Sequence, residues 1–330
     1  MTSIAPFSEM QQAQFWRSYR VTVECGPKQS KQWGNVNAGA SNLRIAFSAK
    51  RELAAFGAIS VTLTNLNPVS RRAILAVPSE AEALEGPGIH LGSRVTVEAG
   101  YNGSVATVCI GHVRRCVSER SGADIHTHLE LIDGAAFGLQ CIFKASYAAS
   151  PSLTGGVKLT RILRDITDTM QLTYPGGVAK VVDGLQIGLQ EREYPRGISF
   201  DHTCADALRM LLEPQGLDAV VANAELRIIP RGKYDAQKAV ILRTDTGLIN
   251  TPSTSFREGR NTVLFQSLLN PLLVPGRLVQ FTGGNTPQPD LGASLAGYYK
   301  ILTSTHEGDS HAGPWSVSCE AERYNLPVIA

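Results

Sequence analysis

Apolar and polar residues alternate with a period of two over most of this chain, and this pattern constrains the fold more than any other feature. Four clear examples are Arg44–Phe47, Ile59–Leu63, Arg94–Val97 and His126–Leu131. Successive side chains of a β-strand point to opposite faces, so each stretch predicts a strand with one buried face. We therefore expect an antiparallel barrel or sandwich over residues 15–150, preceded by a polar N-terminal arm at residues 1–14.

Turn residues separate these predicted strands. Asn65–Pro68 is expected to stop one strand, while Tyr101–Gly103 and Ser121–Asp124 are expected to reverse the chain tightly. Asparagine and glycine accept the left-handed backbone conformation that short hairpin turns need. The spacing of these turns favours an antiparallel arrangement.

The pattern changes to a helical one from about residue 151. The apolar residues Leu159, Ile162, Leu163 and Ile166 share one helical stripe. A second helix is expected to begin near Thr203, with Asp206 in a capping-box-like position, and to stop at Pro214 and Gly216. A hairpin over residues 217–229 follows. These features predict a small α+β insert at residues 151–235, after which the period-two pattern returns and continues over residues 236–330.

The two β-rich regions carry the same three features in the same order. Each has a turn glycine that starts a strand, then a second apolar strand, then a polar reversal containing glycine. These features lie at residues 92–97, 106–110 and 118–124, and again at residues 276–281, 298–302 and 307–313. The repeated order predicts two related barrels, and the fold class is mainly β with two antiparallel β-barrels flanking a small α+β domain.

The segment SLLNPLLVPG at residues 267–276 is unusually apolar for a loop that contains two prolines. Proline lacks a backbone donor, so this segment can be neither a helix nor a central strand. Two interpretations remain for Leu268, Leu269, Leu272 and Leu273. They either contact a neighbouring barrel or subunit, or pack inside their own chain.

Composition excludes several classes of function. The chain has 330 residues, 43% of them apolar, and a formal net charge of only +2 without a basic block, which argues against nucleic-acid binding driven by phosphate contacts. No segment predicts a membrane span or a secretory signal, so we expect synthesis and assembly in the cytoplasm. The cysteines form no CxxC pair and are expected to be free thiols: Cys25, Cys109, Cys116, Cys141, Cys204 and Cys319.

Two groups of residues are candidates for a catalytic or metal site. His126 and His128 lie on one face of a predicted strand, with His112 as a third possible ligand, but no carboxylate completes the set. His306–Asp309 offers acid–base groups near His311, in what we interpret as a hairpin loop. Neither a Gly-x-Ser-x-Gly elbow nor a phosphate-binding loop is present in the sequence. The sequence therefore predicts a protein that is not an enzyme, with no catalytic residue, cofactor or metal.

A set of short motifs recurs with a characteristic order and spacing. They are Gly92–Tyr101, Ile110–Val113, Leu131–Gly134, Thr246–Pro252, Ser267–Pro271, Pro275–Arg277 and His306–Asp309 with Trp315. Together they resemble baseplate or tail hub proteins of tailed phages, which are related to the hubs of other contractile injection machines. The resemblance covers about residues 40–325.

The resemblance implies a homotrimeric structural protein with two tube-type β-barrels per chain. Three chains give six barrels that match a hexameric tail tube on one side and a trimeric central spike on the other. The implied partners are tail-tube proteins, the spike, the tape-measure protein and the surrounding baseplate wedge proteins. The resemblance also implies that genomic DNA passes through the central channel without specific binding, and no stable membrane insertion is expected. The implied location is the virion tail.

A receptor-binding or carbohydrate-binding β-rich tail protein is the alternative. That function predicts exposed aromatic platforms, whereas aromatic residues make up only 7% of the chain. Tyr298, Tyr299 and Trp315 sit on alternating stretches, as residues of a core or an interface do.

Overall fold

The structure is a computed structural model. It describes residues 16–25, 30–36, 42–52, 55–75, 92–133, 138–148, 156–173, 180–182, 193–194, 196–223, 225–230, 239–257, 260–282 and 295–324. The predicted arm at residues 1–14 lies outside the described residues. Among the helices of these stretches, none is long and apolar enough to cross a membrane.

The first half of the chain folds into strands, as its alternating pattern predicts. The strands described there are β1 (Arg17–Glu24), β2 (Ser30–Gly34), β3 (Ile45–Glu52), β4 (Ala55–Thr64), β5 (Arg94–Tyr101), β6 (Ser104–Ser121) and β7 (Asp124–Ile132). They pair antiparallel in the spatial order β3-β4-β7-β6-β5-β1-β2. Inward-facing side chains such as Val21, Val61 and Val97 are buried together in one core.

The tight turn between β5 and β6 follows directly from two residues. Asn102 and Gly103 have φ angles of 52° and 77°, and the flanking Tyr101 pairs with Ser104. A two-residue hairpin turn needs this left-handed conformation at both positions, which asparagine and glycine tolerate best. The reversal predicted at Tyr101–Gly103 is confirmed.

A short helix, α1 (Pro68–Leu75), follows β4 and was not predicted from the sequence. Its first turn is capped by Asn67, whose Oδ1 accepts the backbone N–H of Ser70 at 2.7 Å. Proline suits the first helical position because its missing N–H would have no partner there anyway. The pair Asn67-Pro68 was therefore a readable helix start as well as a strand stop.

The middle of the chain has the mixed character predicted from its sequence. Its elements are β8 (Ile142–Tyr147), β9 (Val157–Lys158), α2 (Leu159–Thr173), β10 (Lys180–Val182), β11 (Glu193–Tyr194), β12 (Ile198–Thr203), α3 (Cys204–Leu212), β13 (Leu217–Ala222) and β14 (Glu225–Pro230). The predicted stripe on α2 is buried in a second core, and the hairpin β13–β14 is present. The start of α3 is also confirmed, since the N–H of Asp206 donates to Thr203 Oγ1 at 3.1 Å.

The second core also takes residues that the sequence analysis placed in the first barrel. Strand β8 pairs with β12, and its Phe143 and Tyr147 pack with the helices of the insert. Leu139 and Cys141, just before β8, belong to the same core. Residues 139–147 therefore pack with the insert rather than with the first barrel. The division into separately folding domains stays a prediction.

The second β-rich region has its own core. Its strands are β15 (Val240–Leu242), β16 (Ser253–Arg257), β17 (Arg260–Leu268), β18 (Leu278–Phe281), β19 (Gly297–Asp309) and β20 (Trp315–Tyr324). Their order in space is β16-β17-β20-β19-β18-β15, antiparallel except for the parallel pair β15–β18. Core residues here include Phe265, Phe281 and Tyr299, and the ring of Phe281 contacts each of the other two rings edge to face.

The two β-rich regions repeat one arrangement of six strands. The order β3-β4-β7-β6-β5-β1 in the first region corresponds to β16-β17-β20-β19-β18-β15 in the second. The one difference in direction among these strands is that β1 pairs antiparallel with β5, whereas β15 pairs parallel with β18. The prediction of two related β regions is confirmed at the level of strand order.

Backbone hydrogen bonds show which residues of the two repeats are equivalent. The N–H of Gly92 donates to the Val113 carbonyl at 2.9 Å, and the N–H of Gly276 donates to the Ile301 carbonyl at 2.8 Å. The next ladder shifts register directly after Val113 in one repeat and directly after Ile301 in the other. The same turn glycine and the same bulge therefore occur at equivalent positions.

This register corrects one part of the predicted repeat. The sequence analysis matched residues 106–110 with residues 298–302. Because Val113 and Ile301 occupy equivalent positions in the two repeats, residues 298–302 correspond instead to residues 110–114. Alternating apolar strands look alike under such a shift by an even number of residues, which keeps the same face buried.

Strand β19 joins the two regions into one sheet. Its first part pairs with β18, and its last part, from Thr303 to Asp309, pairs antiparallel with β3. The described strands of both regions thereby form a thirteen-stranded sheet. The residues that decide how the regions are held together lie at this pairing.

Candidate assembly site

The apolar segment between β17 and β18 folds as a pair of tight turns. Pro271 and Pro275 interrupt any ladder because they lack a backbone donor. The N–H of Leu272 donates to Asn270 Oδ1 at 3.0 Å, and the N–H of Leu273 donates to the Asn270 carbonyl at 3.1 Å. An asparagine side chain that imitates the backbone in this way is typical of a turn.

The four leucines of this segment have different surroundings. Leu269 is 3% exposed and belongs to the core of the first barrel, together with Trp315. Leu273 is fully buried in the core of the second barrel. Leu268 is half-buried, and Leu272 is 50% exposed. The segment thus packs between the two barrels of its own chain. Contact with another subunit stays a prediction, for which Leu272 has the most surface.

Trp315, at the start of β20, anchors the second barrel in the first. Its ring lies edge-on to Phe47 with centroids 5.7 Å apart, and its Nε1–H donates to the Gly100 carbonyl at 3.2 Å. The guanidinium of Arg17 lies over the same ring, 5.6 Å from its centroid. A residue of the second region therefore completes the core of the first.

Gly308 makes this insertion possible. A Cβ atom at this position would lie 2.4 Å from the ring of Phe47 and 2.9 Å from the ring of Trp315. Carbon atoms do not approach so closely, so only glycine leaves room for both rings. The closeness of β3 and β19 depends on this missing side chain.

The turn that follows β19 is tied to the first barrel by charge. The guanidinium of Arg44 contacts Asp309 Oδ2 at 2.8 Å, and the N–H groups of His311 and Ala312 donate to Asp309 Oδ1. Burial by itself raises the pKa of Asp309, but the arginine and the two backbone donors outweigh that effect and lower it. The carboxylate is therefore ionised and occupied by structural bonds.

Buried polar groups connect both barrels with the insert. Arg51 is 3% exposed, and its guanidinium donates to the Val108 carbonyl and to Asn223 Oδ1. Burial lowers the pKa of Arg51. His306 is fully buried beside it, and its Nε2 lies 3.1 Å from the Asn270 carbonyl. Burial and the charge of Arg51 lower the pKa of His306 to about 3, so this ring is neutral and donates from Nε2.

The predicted acid–base group at His306–Asp309 does not form a catalytic arrangement. These residues are the last four of β19 rather than part of a hairpin loop, because β19 continues to pair with β3 up to Asp309. His306 is buried against the Asn270 carbonyl, and His311 contacts Ser310 Oγ at 3.1 Å. The two imidazoles therefore serve different neighbours.

The histidine pair on β7 is held by hydroxyl and carboxylate groups. His126 Nδ1 lies 3.1 Å from Thr64 Oγ1, and His128 Nδ1 lies 3.0 Å from Thr62 Oγ1. His128 Nε2 also contacts Glu119 Oε1 at 3.1 Å. These contacts occupy both ring nitrogens of His128 and the Nδ1 atom of His126 on the polar face of the sheet.

His112 does not join that pair as a third ligand. It lies opposite Arg94 and Ile132 in the ladder, and burial lowers its pKa to about 4. Across the described stretches, no group of three histidine, cysteine or acidic side chains is placed to hold a metal ion. The rings of His126 and His128 lie 6.1 Å apart, and His112 does not complete a metal site with them.

Two of the strand edges that lack a ladder partner, within the part of the chain that the structure describes, lie on β16 and on the second half of β6. β16 pairs there with β17 alone, and β6 from Arg115 onward pairs with β7 alone. Phe256 on β16 is 72% exposed, and Val117 on β6 is 39% exposed. An open edge presents unpaired N–H and C=O groups to any further strand. The sequence analysis missed these edges, which become visible only when β6, with 18 residues, is paired to β5, with 8.

The chain is similar to known proteins in its three-dimensional structure. No protein-family model and no curated protein matches the sequence. The 43 kDa tail protein of prophage MuSo2 from Shewanella oneidensis has a TM-score of 0.59 at 14% identity, and the match covers 93% of this chain and 97% of that one. The chain has the fold of a phage tail protein.

Two further structures have the same tail-protein fold. The c3393 protein of Escherichia coli, a component of the type VI secretion system with structural similarity to the phage T4 tail proteins gp27 and gp5, has a TM-score of 0.56 at 12% identity, over 86% of this chain and 75% of that one. The tail protein from Neisseria meningitidis MC58 has a TM-score of 0.53 at 10% identity, over 94% and 97%. The predicted resemblance to tail hub proteins is confirmed for the fold.

Proposed function

We propose that this chain is a structural hub of a phage tail baseplate. Three copies form a ring in which six related barrels surround the genome channel. The observation that carries the proposal is the internal repeat, in which one six-strand arrangement occurs twice with the same turn glycine and the same bulge. The likeness to tail proteins over almost the whole chain supports it.

The repeat has a use in matching two symmetries. Three chains with two similar modules each present six alike units to a hexameric tail tube. The same ring keeps true threefold symmetry for a trimeric central spike. The proposed partners are therefore the tail-tube proteins and the spike, together with the tape-measure protein and the baseplate wedge proteins around the ring. The proposed location is the virion tail, with assembly in the host cytoplasm.

The polar face of the joined sheet suits a channel wall that does not hold DNA. Opposite charges pair on it, as in Arg115 with Glu130 at 3.2 Å and Lys50 with Glu52 at 2.8 Å. Phosphate binding needs unpaired cations in number, because the released counterions supply the affinity. A wall of paired charges lets the genome pass without specific binding.

A structural role fits the surroundings of the polar residues better than catalysis does. Asp309, His306 and His128 each make contacts that hold strands or turns together. The carbohydrate-binding alternative is not favoured by the aromatic residues considered for it. Tyr299 and Trp315 are 1% and 5% exposed and Tyr298 is half-buried, so these three residues form no open platform.

Co-assembly tests the proposed function. The full chain is mixed with the tail-tube and spike proteins of the same particle, and the mass of the complex is measured by light scattering. Face-on electron microscopy then reports its shape. We expect three copies of the chain in an annulus with a central hole. A compact dimer, or a solid particle with both partners present, would contradict the hub function. A matched preparation with an unrelated trimeric spike controls for non-specific association.

A further inference from the structure

The pairing between β3 and β19 shows how one repeat contacts the next within the chain. Arg51 of β3 lies opposite Ser304 of β19, and Ala49 lies opposite His306. One partner is the outer strand of the first repeat, and the other is the long strand of the second repeat beyond its bulge. The contact is therefore made between two defined positions of the repeated unit.

The register of the repeats identifies the same positions in the opposite modules. Directly after the bulge, Arg115 of β6 pairs with Glu130 of β7, and Thr303 of β19 pairs with Glu320 of β20. The next residues along these strands, Cys116 and Ser304, are therefore equivalent. Phe256 of β16 occupies the place of Arg51 in β3, and Thr254 that of Ala49. Neither of these two edges has a ladder partner in the described part of the chain.

We propose that β16 of one chain pairs antiparallel with residues 115–121 of β6 in the next copy of the chain. In this register Phe256 lies opposite Cys116, and Thr254 lies opposite Ser118. The inference deepens the proposed function and rests on its ring, because it specifies which strand edges close that ring. The occupant of each open edge is a second copy of this chain, since the repeat fills the equivalent edge with its own other half.

Side-chain size and exposure agree with this pairing. Inside the chain the large Arg51 faces the small Ser304, and across chains the large Phe256 faces the small Cys116. Phe256 is 72% exposed, while Cys116 is already half-buried beside the first core. Within the chain, pairing with β19 leaves Arg51 only 3% exposed. Pairing between chains would cover the phenyl ring of Phe256 in the same way.

The proposed contact is compatible with a closed ring. Each chain offers one β16 edge and one β6 edge, so the contact is head to tail. If each step, within and between chains, is a rotation of one sixth of a turn, three chains make six equal steps around one axis and close the ring. The sheet then runs continuously around the channel, and the edges of β16 and β6 are both closed.

A disulfide that uses a native cysteine tests the register. Phe256→Cys places a thiol opposite Cys116 of the next chain, where Cα atoms of facing antiparallel residues lie about 4.5–5.5 Å apart, within disulfide range. We expect oxidation of the assembled protein to give covalent dimers and then trimers on a non-reducing gel. The double variant Phe256→Cys with Cys116→Ser should stay monomeric on that gel. Ser255→Cys, which points to the other face, should also fail to cross-link.

Assembly is followed independently of the cross-link. Phe256→Asp should shift the concentration for half-assembly, measured by light scattering, upward at least about tenfold, because it puts a charge in an apolar contact. Phe256→Leu should assemble like the original chain. Both variants should keep the thermal midpoint of the monomer, since this ring is exposed there.

The possible results separate the two proposals. A trimeric annulus with tube and spike that does not cross-link through residue 256 overturns the strand pairing and leaves the hub function standing. Equal cross-linking by Ser255→Cys also overturns the register. A chain that neither cross-links nor assembles with those partners overturns both proposals.

Discussion

The backbone N–H of Leu269 donates a hydrogen bond of 2.9 Å to the phenol oxygen of Tyr101, across 168 residues of sequence. Burial raises the pKa of Tyr101 to about 12, so the phenol keeps its proton and donates in turn toward the Trp315 carbonyl at 3.3 Å. One side chain of the first barrel thus satisfies backbone groups from two segments of the second. The junction is specified by polar bonds as well as by apolar packing.

Replacing Leu269 and Leu272 by alanine should have different effects on stability, because the first side chain is buried and the second is exposed. Leu269→Ala removes a side chain that is 3% exposed and should lower the free energy of unfolding by about 2–5 kcal/mol. Leu272→Ala, in the same segment but 50% exposed, should change it by less than about 0.5 kcal/mol. Urea denaturation of both variants measures the difference. Equal effects would mean that the segment does not pack between the barrels as described.

Gly308→Ala should destabilise the contact between β3 and β19. The added Cβ meets the rings of Phe47 and Trp315, and overpacking of this kind costs about 1–3 kcal/mol. Phe47→Leu in the same chain removes part of the clash, so the double variant should be more stable than the sum of the two single effects predicts. A double-mutant cycle in urea measures this coupling. Purely additive effects would contradict the close approach of residue 308 to the Phe47 ring.

The cysteines should differ in reactivity between the native and the unfolded protein. All six are free in the structure: Cys25, Cys109, Cys116, Cys141, Cys204 and Cys319. Only Cys25 and Cys116 are half-exposed, and burial raises the pKa of Cys109 to about 12. A thiol reagent should therefore label at most these two quickly in the native state and all six after denaturation without reductant. Fewer than six in the denatured state would indicate disulfides.

Local patterns predicted most individual elements of this fold. The stripe on α2, the cap at Thr203 and the Asn102-Gly103 turn depend on residues close together in sequence, and each was found where the residues placed it. The helix α1 was missed because Asn67-Pro68 serves both as a turn and as a helix start. Residues 139–147 were assigned to the first barrel because a strand pattern does not say which sheet the strand joins.

The candidate site was harder to predict for the same reason. The sequence singled out the apolar segment but left open what covers Leu269, since burial by one's own chain and by another chain look alike in composition. The pairing of β3 with β19 joins residues on opposite sides of the insert, and no local signal reports it. The open edges of β6 and β16 follow only from the complete strand order.

His306 should make stability depend on pH. Its pKa is about 3 in the folded protein and about 6.5 in the unfolded chain, because burial and the charge of Arg51 disfavour the protonated ring. Above pH 6.5 neither state binds the proton and the group contributes no pH dependence. As pH falls below 6.5, only the unfolded state gains the proton, so stability is lost progressively down to about pH 3.

The size of the effect can be checked with one variant. Between pH 7.5 and pH 5 the free energy of unfolding should fall by about 2 kcal/mol because of this residue. The loss accumulates over the roughly 1.5 pH units that lie between the pKa of the unfolded chain, about 6.5, and pH 5. His306→Gln keeps an N–H for the Asn270 carbonyl but cannot titrate, so its stability should fall less between these pH values. His112 shifts in the same direction and remains in both proteins, so the difference between them isolates His306. His311→Gln, an exposed change, is the control. Identical pH profiles for the original chain and His306→Gln would show that this ring is not held neutral at the junction of the barrels.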